Sequence, residues 1–570
     1  MNTIKGTPVS PGIAIGKALI KKSVSEEISF IKVKNKEEEM ERFQLARALA
    51  VNQLKDIYKE MLRSKGEMEA SIFLAHMEIL NDIEFISSVE SVLERQECNA
   101  EWAVKTARDN LMEVFKTMEN EYMRERAVDI KDISGRVIRI LCGNKKDDVF
   151  CLSEPAIIIS NELTPSDTAG MNPELVSGII IETGGHMSHA AIIARMLGIP
   201  LVVHPQITTF VSNGQLLAFD GENGFIELEL SEGILQNYIR KQEAFIHRNL
   251  ELEKLKGTKS ITADGYEILL AGNIGSLEDA DNVLKQDGHS IGLFRTEFLY
   301  MNRIDAPSEE EQFSAYKEIA LKMQSNPVVI RTLDIGGDKE VNYLKLPKEE
   351  NPFLGYRAIR LCLDRTQFWR VQLRALLRAS AFGNIHIMFP MIVSMDELRQ
   401  AKQLIGEEKA KLRNEGVTFN ENIPVGMMME TPAAAILADV FAREVDFFSI
   451  GTNDLIQYTM AVDRMNEKVA YLYSQYDPAV LRFIKRIVDS AHENGIWVGI
   501  CGEAAADKEL LPLWVGLGLD ELSMSPVSIL GIRGQIQGLS KVVCENLAAE
   551  ILSLNTAREI EETLKNYKST

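Results

Sequence analysis

From about residue 260 onward the chain alternates short apolar runs with segments of helical length, and each run stops at a polar, chemically capable residue. Eight such runs can be placed, at 267–272, 291–294, 327–332, 385–390, 424–429, 447–450, 497–500 and 519–524. Eight strand–helix units predict a (β/α)8 TIM-type barrel. Asn273, Arg295, Arg331, Met391, Glu430, Asn453 with Asp454, Cys501 with Glu503, and Ser525 end or follow the runs. A barrel of this kind gathers its chemistry at the C-terminal ends of its strands. Alternation alone also admits a doubly wound open sheet; the terminating residues favour the barrel.

The first quarter has a different texture. From Lys17 to Ser134 there is no proline and one glycine, Gly66, in a stretch rich in Glu, Lys, Leu, Met and Ala. These are good helix formers. Leu54, Ile57, Tyr58 and Met61 recur at i, i+3, i+4, i+7, so they share a helical face. Long antiparallel helices, broken near Gly66 and around Asn99, are expected. On either side lie short β-like runs, at Arg136–Leu141, Ala156–Ser160, Gly178–Glu182 and Leu201–His204, with turn residues between them. A helical block inserted into a small α/β domain follows, and a charged helical stretch from 231 leads into the barrel.

Acidic residues outnumber basic ones by 83 to 63, a net charge of -20. That excludes general binding to nucleic acid or anionic membrane and fits a basic protein partner. Any anionic ligand must be held by arginines gathered locally. The six cysteines form no CxxC pair, which points to thiols in a reducing compartment. No run approaches a membrane span, and the N-terminus lacks the basic and apolar regions of a secretory signal. A cytoplasmic location is expected.

Residues 183–195 read TGGHMSHAAIIAR. Gly184 and Gly185 allow a tight turn, Ser188 fits an N-cap, and His189 opens an apolar helix that Gly198 and Pro200 stop. Free N–H groups and the helix dipole favour an anion there, so a phosphorylated imidazole would be stabilised. A neutral imidazole is a competent nucleophile near neutral pH. Read blandly, His189 is a cap in a glycine turn and His186 an exposed loop residue. His76, among apolar residues in FLAHMEIL, reads as a satisfied core or interface histidine.

Arg295, Arg331, Arg357 and Arg464 offer planar forks suited to phosphate and carboxylate oxygens, although each taken singly reads as a salt-bridge partner. Glu430 and Asp454 follow apolar runs without Cys or His ligands nearby, the donor set of a hard ion such as Mg2+. Asn453 can donate to a phosphate oxygen. Their bland role is capping and turn formation. Cys501, in GICGEAA, is the cysteine placed to deliver a proton, where an inert buried thiol is the default.

With SPGIAIG, ELTPSDTA, GGHMSHAAIIAR, GLFRTEFLY, RTLDIGGDKE, NPFLGYRAIR, FFSIGTNDLIQYTMAVDR, CGEAA and LDELSMS in this order, the chain resembles phosphoenolpyruvate–protein phosphotransferase, enzyme I of the bacterial sugar phosphotransferase system. The resemblance runs nearly end to end. It implies a swivelling α/β phosphohistidine domain (1–20 and 144–230), an inserted helical domain docking the carrier HPr (21–143), a linker helix (231–258), and a barrel that binds substrate and dimerises (259–570). It implies phosphorylation of His189, supported by Thr168 and Ser188, with phosphoenolpyruvate held by Arg295, Arg331, Arg357, Asn453, Asp454 and Arg464. Glu430 and Asp454 would ligate Mg2+, and Cys501 would be the proton donor. His186 and Met187 stand where the family usually has Arg and Thr. Tyr356 replaces Trp, Thr431 replaces Val and Met465 replaces Gly, as variation bordering the site.

A dikinase or phosphoenolpyruvate synthase shares the histidine domain and barrel but needs a large upstream ATP-binding domain. Mostly helix precedes the histidine domain here, and no GxxxxGK[ST] loop occurs. Two further alternatives are a paralogue dedicated to a different HPr-like carrier and a regulatory phospho-protein without turnover. The presence of Arg295, Arg331, Glu430, Asp454 and Cys501 speaks against lost turnover.

Overall fold

The structure, a computed structural model, describes residues 3–21, 28–64, 67–116, 121–143, 154–163, 167, 172–184, 188–301, 303, 305–337, 339, 341–464, 466 and 468–567. It divides into two compact units, Met1–Asn249 and Leu250–Thr570. The division falls inside the helix Glu232–Glu253, within the stretch expected to connect the domains.

The first unit contains β1 (Thr3–Lys5), β2 (Thr7–Ser10), β3 (Ile13–Ile20), helices α1 (Lys36–Ser64), α2 (Glu67–Asn81), α3 (Ile83–Gln96), α4 (Ala100–Lys116) and α5 (Glu121–Leu141), then β4 (Ala156–Ser160), β5 (Val176–Ile181), α6 (His189–Leu197), β6 (Leu201–Val203), β7 (Leu216–Asp220) and β8 (Phe225–Glu227). Its eight strands form one sheet in the order β1-β8-β7-β3-β4-β5-β6-β2. β3 and β4 pair directly and in parallel, so the chain leaves the sheet at Ile20, builds five helices and returns to the adjacent place. The sheet is buried on both faces. Ile158, Ile179 and Ile181 pack with Ala190, Ala191 and Ala194 of α6, while their neighbours Ile157, Ile159 and Ile180 pack with Phe219 and Val202. That is the period-two alternation of a pleated strand.

In the helical block, Phe43, Ala46, Ala50 and Leu54 of α1 share a buried stripe with Val89 and Leu93 of α3 and Val104 and Ala107 of α4. Ile57 and Tyr58 are partly buried against the same core, as their spacing implies, whereas the Met61 side chain lies outside the described residues. His76 is a buried core histidine with Nε2 3.2 Å from Asp129 Oδ1, but only that ring nitrogen is satisfied, since the buried Nδ1 makes no hydrogen bond and lies 3.8 Å from Asp132 Oδ2. Arg136–Leu141 is not a strand; it forms the last turns of α5. The β-branched residues of RVIRIL mimic a strand, but the buried Ile130, Ile133 and Val137 keep helical spacing, and Ile133, Val137 and Ile138 fill the bundle core.

The second unit carries β9 (Leu269–Ile274), β10 (Ser290–Arg295), β11 (Val328–Arg331), β12 (Ile385–Phe389), β13 (Val425–Met429), β14 (Phe447–Gly451), β15 (Trp497–Cys501) and β16 (Glu521–Met524). All eight predicted runs are strands, all neighbours are parallel, and β16 pairs with β9 to close the barrel. That closure excludes the open sheet. Leu293, Val329, Met388, Met428, Phe447 and Cys501 form one cluster, while Ile291, Phe294, Ile330, Ile387 and Phe389 join the larger core under the helices. No helix among the described residues is long and apolar enough to cross a membrane.

Glu521 is an acid inside this core. It is buried, Ser290 Oγ donates to its Oε2 at 3.0 Å, and a Cβ at Gly292 would fall 2.4 Å from its Oε1. Burial pushes its ionisation up to about 7, against the pull of the Ser290 hydrogen bond. A carboxyl raised on folding stabilises the fold while protonated, and that contribution fades as pH climbs through the raised value. Glu521→Gln should therefore gain stability relative to the native chain between pH 5 and 8, on the order of 2–3 kcal/mol by urea unfolding. A constant difference across that range would remove Glu521 as the cause.

Candidate active site

The barrel sets its reactive groups at the strand ends. Arg295, Arg331 and Cys501 are the last residues of β10, β11 and β15, and Glu430 immediately follows β13. β14 ends at Gly451, and the helix Thr452–Met460 begins at once, with Asn453 and Asp454 in its first turn. Arg357 comes from the segment after β11, and Arg464 from the segment after the Thr452–Met460 helix. Together these eight predicted residues line one cavity of about 230 Å3.

Three further charged residues line it: Glu297, Asp334 and Lys339. Asp334 is the hub. Its Oδ1 accepts from Arg357 at 2.9 Å, while its Oδ2 lies 3.1 Å from Arg331 and 3.4 Å from Lys339. Glu297 accepts from Arg331 and, at 2.8 Å, from Lys339. Burial opposes ionisation of Asp334, but Lys339, Arg331 and Arg357 outweigh it and hold the carboxyl well below the usual range. Burial likewise works against the guanidinium charges, yet Glu297 and Asp334 raise Arg331, and Asp334 and Asp454 raise Arg357. The arginines are thus fixed, charged and aimed before any ligand arrives.

The remaining carboxylates are poorly compensated. Glu430 Oε1 accepts the Met391 N–H at 2.6 Å, a donor aimed by the positive φ of Met391. Burial first, then the nearby Asp454 and Asp334, push Glu430 up to about 8. Asp454 Oδ1 is buried and accepts no hydrogen bond; Arg464 is 3.8 Å from it, and Arg357 is 3.6 Å from Oδ2. Gly451 keeps the space beside Glu430 open, since a Cβ there would meet Oε2 at 3.0 Å. Two buried neighbouring acids, Glu430 raised by the charge of Asp454 and Asp454 with an idle oxygen, form the donor set of a hard cation completed by water and substrate oxygens.

Cys501 is buried against Leu293, Met388, Met428 and Phe447, and burial pushes its thiol up to about 11. It is fully protonated at neutral pH and able to act as an acid.

The histidine element belongs to the first unit. Ser188 caps α6, its hydroxyl accepting the Ala191 N–H at 3.3 Å, and Gly198 closes the helix at φ 67°. His189 opens α6 as predicted; its side chain, together with Thr168, His186, Met187 and Met465, lies outside the described residues. Tyr356 donates its hydroxyl to Asp364, and Thr431 caps the helix Pro432–Ile436, so neither variant removes a lining group. Asn273 does not reach the cavity. It lies inside β9 and bonds Ser523, donating to its carbonyl at 3.1 Å. Glu297, Asp334 and Lys339 were present in the motifs FRTEF and RTLDIGGDKE, where Asp334 follows Arg331 by three residues, but carried no role of their own.

Comparison with known proteins adds lineage. The family profile for the PEP-utilising enzyme, PEP-binding domain, matches residues 249–541. Those for the PEP-utilising enzyme N-terminal and mobile domains match 5–126 and 152–224. A phosphoenolpyruvate-protein phosphotransferase of Priestia megaterium is 47% identical over 564 residues, covering 99% of this chain and 98% of the relative. One from Bacillus subtilis (strain 168) is 46% identical over 566 residues, covering 99% of each. Among solved structures, an NMR structure of Enzyme I is 35% identical, covering 42% of this chain and 99% of that one, with a TM-score of 0.37.

Proposed function

The chain belongs to the phosphoenolpyruvate–protein phosphotransferase family, and from that premise we propose that it moves the phosphoryl group of phosphoenolpyruvate onto its own His189, releases pyruvate, and passes the phosphoryl group to a histidine of the carrier HPr. What supports this reading most is the charge of the barrel cavity. Five cationic side chains, Arg295, Arg331, Lys339, Arg357 and Arg464, face four carboxylates, Glu297, Asp334, Glu430 and Asp454. With all ionised, as a bound divalent ion would require of Glu430, a single positive charge is left over. Phosphoenolpyruvate is a trianion near neutral pH, and a divalent ion beside Glu430 and Asp454 would make up the difference.

The residues fit Mg2+, held by Glu430 and Asp454, and when bound it would neutralise charge developing on the phosphoryl oxygens. Arg295, Arg331, Arg357, Asn453 and Arg464 would orient the substrate's phosphate and carboxylate with bidentate and single donors. The His189 imidazole is the nucleophile, with Ser188 fixing its helix start and Thr168 supporting it. Cys501 gives its proton to the methylene carbon of the departing enolate, which fixes the product as pyruvate. The first 20 residues with 144–230 form the swivelling phosphohistidine domain, 21–143 the HPr-docking domain, 231–258 the linker, and 259–570 the substrate-binding and dimerising barrel. The enzyme works in the cytoplasm, where its acidic surface suits a basic carrier.

Incubation with labelled phosphoenolpyruvate, Mg2+ and several HPr-like carriers, followed by mapping of the phosphorylated residues, tests this. Acid-labile label is expected on His189 and on one carrier histidine, with EDTA lowering both at least a hundredfold. Pyruvate released at full rate in EDTA, or with no label on any carrier, would defeat the proposal.

A further inference from the structure

Resting on the reading of Cys501 as the acid of this reaction, we infer that Ser449 is its positioning residue: the serine hydroxyl holds the sulfur in register and supplies the hydrogen bond that the sulfur needs once its proton has gone. β14 and β15 run side by side with Gly451 opposite Cys501 and Ser449 opposite Gly499. Glycine at 499 leaves the neighbouring strand without a side chain at that level. Ser449 is buried, and its Oγ donates to Cys501 Sγ at 3.5 Å, a hydrogen-bond distance for a large sulfur. The thiol donates in turn to the Ile450 carbonyl at 3.5 Å. Thr452 Oγ1 donates to the Cys501 carbonyl at 3.2 Å, fixing the strand end that carries the thiol.

This arrangement stores the proton and prepares for its loss. At rest the S–H bond points to a main-chain oxygen. When it turns to the enolate, the S–H bond breaks, a C–H bond forms at the methylene carbon, and the electron pair of the S–H bond stays on sulfur. The enolate oxygen closes to a ketone, and a solvent proton later restores the thiol. Between these events sulfur is an anion in an apolar seat. Leu293, Val329, Met388, Met428 and Phe447 in that seat carry no donor for it. Arg331 and Arg295 favour the anion from a distance, and Glu430 opposes it. A hydrogen bond to a charged acceptor is stronger than one to a neutral acceptor, so the Ser449 contact tightens as the proton leaves. A buried charge without that donor would be costly.

Two readouts on Ser449→Ala test this. Alkylation of Cys501 by iodoacetamide at fixed alkaline pH, without substrate and followed by peptide mass spectrometry, reports the population of thiolate. It should slow about tenfold, the equivalent of one pKa unit. Pyruvate formation should lose about tenfold in kcat with KM for phosphoenolpyruvate unchanged. Ser449→Thr should restore both. Should the alanine variant not fold, Ser449→Thr and Ser449→Val compare a hydroxyl with a methyl at equal bulk. A serine that merely fills space predicts alkylation at the same or a faster rate, and that result overturns the inference. Alkylation needs neither substrate nor carrier, so it can fail while the proposed reaction stands. Failure of His189 labelling, conversely, leaves the alkylation result intact.

Discussion

His189→Ala is expected to abolish acid-labile incorporation of label from phosphoenolpyruvate, a loss beyond about a thousandfold, because the proposed phosphoryl intermediate is carried on that imidazole. The substitution is mild for the fold. α6 is capped by the Ser188 hydroxyl on the Ala191 N–H and terminated at Gly198, and neither feature needs the imidazole. Ala190, Ala191 and Ala194 carry the buried face that seats the helix on the sheet. Alanine is itself the best helix former at that position. The variant should therefore keep its unfolding midpoint while labelling disappears, as read by filter-bound radioactivity with and without acid treatment. Normal labelling of the variant would move the nucleophile to another residue.

Cys501→Ala separates the two halves of the reaction. The thiol is held in its protonated form by burial, with an ionisation near 11, and lies at the end of β15 on the cavity wall. Removing a positioned acid costs roughly 10²–10⁴-fold in the step it serves. Pyruvate release, followed with lactate dehydrogenase, should fall by that factor. Exchange of label between phosphoenolpyruvate and His189 should persist, because the arginines and the Glu430–Asp454 pair are untouched. An unchanged pyruvate rate would take Cys501 out of the mechanism.

The barrel was legible because its strands are short and apolar, bounded by residues that do not belong in a strand interior. VVIR and FFSIG announce both a strand and its end, and the structure places Arg331 and Gly451 at those ends. Arg357, Arg464 and Cys501 fall on the same cavity because a closed barrel brings all its C-terminal ends to one mouth. The charged framework behind them was not legible. Asp334 shares a motif with Arg331 and Lys339, but nothing in that motif shows that the fold sets it against both of them and against Arg357, 23 residues further on. Ser449 looks like one more strand residue until β15 lays Cys501 beside it. The misreading of RVIRIL has the opposite cause. Six residues rich in Val and Ile suit a strand by composition, and only the packing of Ile133 and Val137 into the bundle decides for a helix.

The apolar seat of the Cys501 sulfur bears on how the chain survives oxidants. Peroxides and disulfides consume thiolate rather than thiol, and with an ionisation near 11 only about one part in ten thousand is thiolate at neutral pH. The hydrocarbon of Leu293, Met388, Met428 and Phe447 that keeps the proton on sulfur in the resting site therefore also slows its reaction with oxidants there.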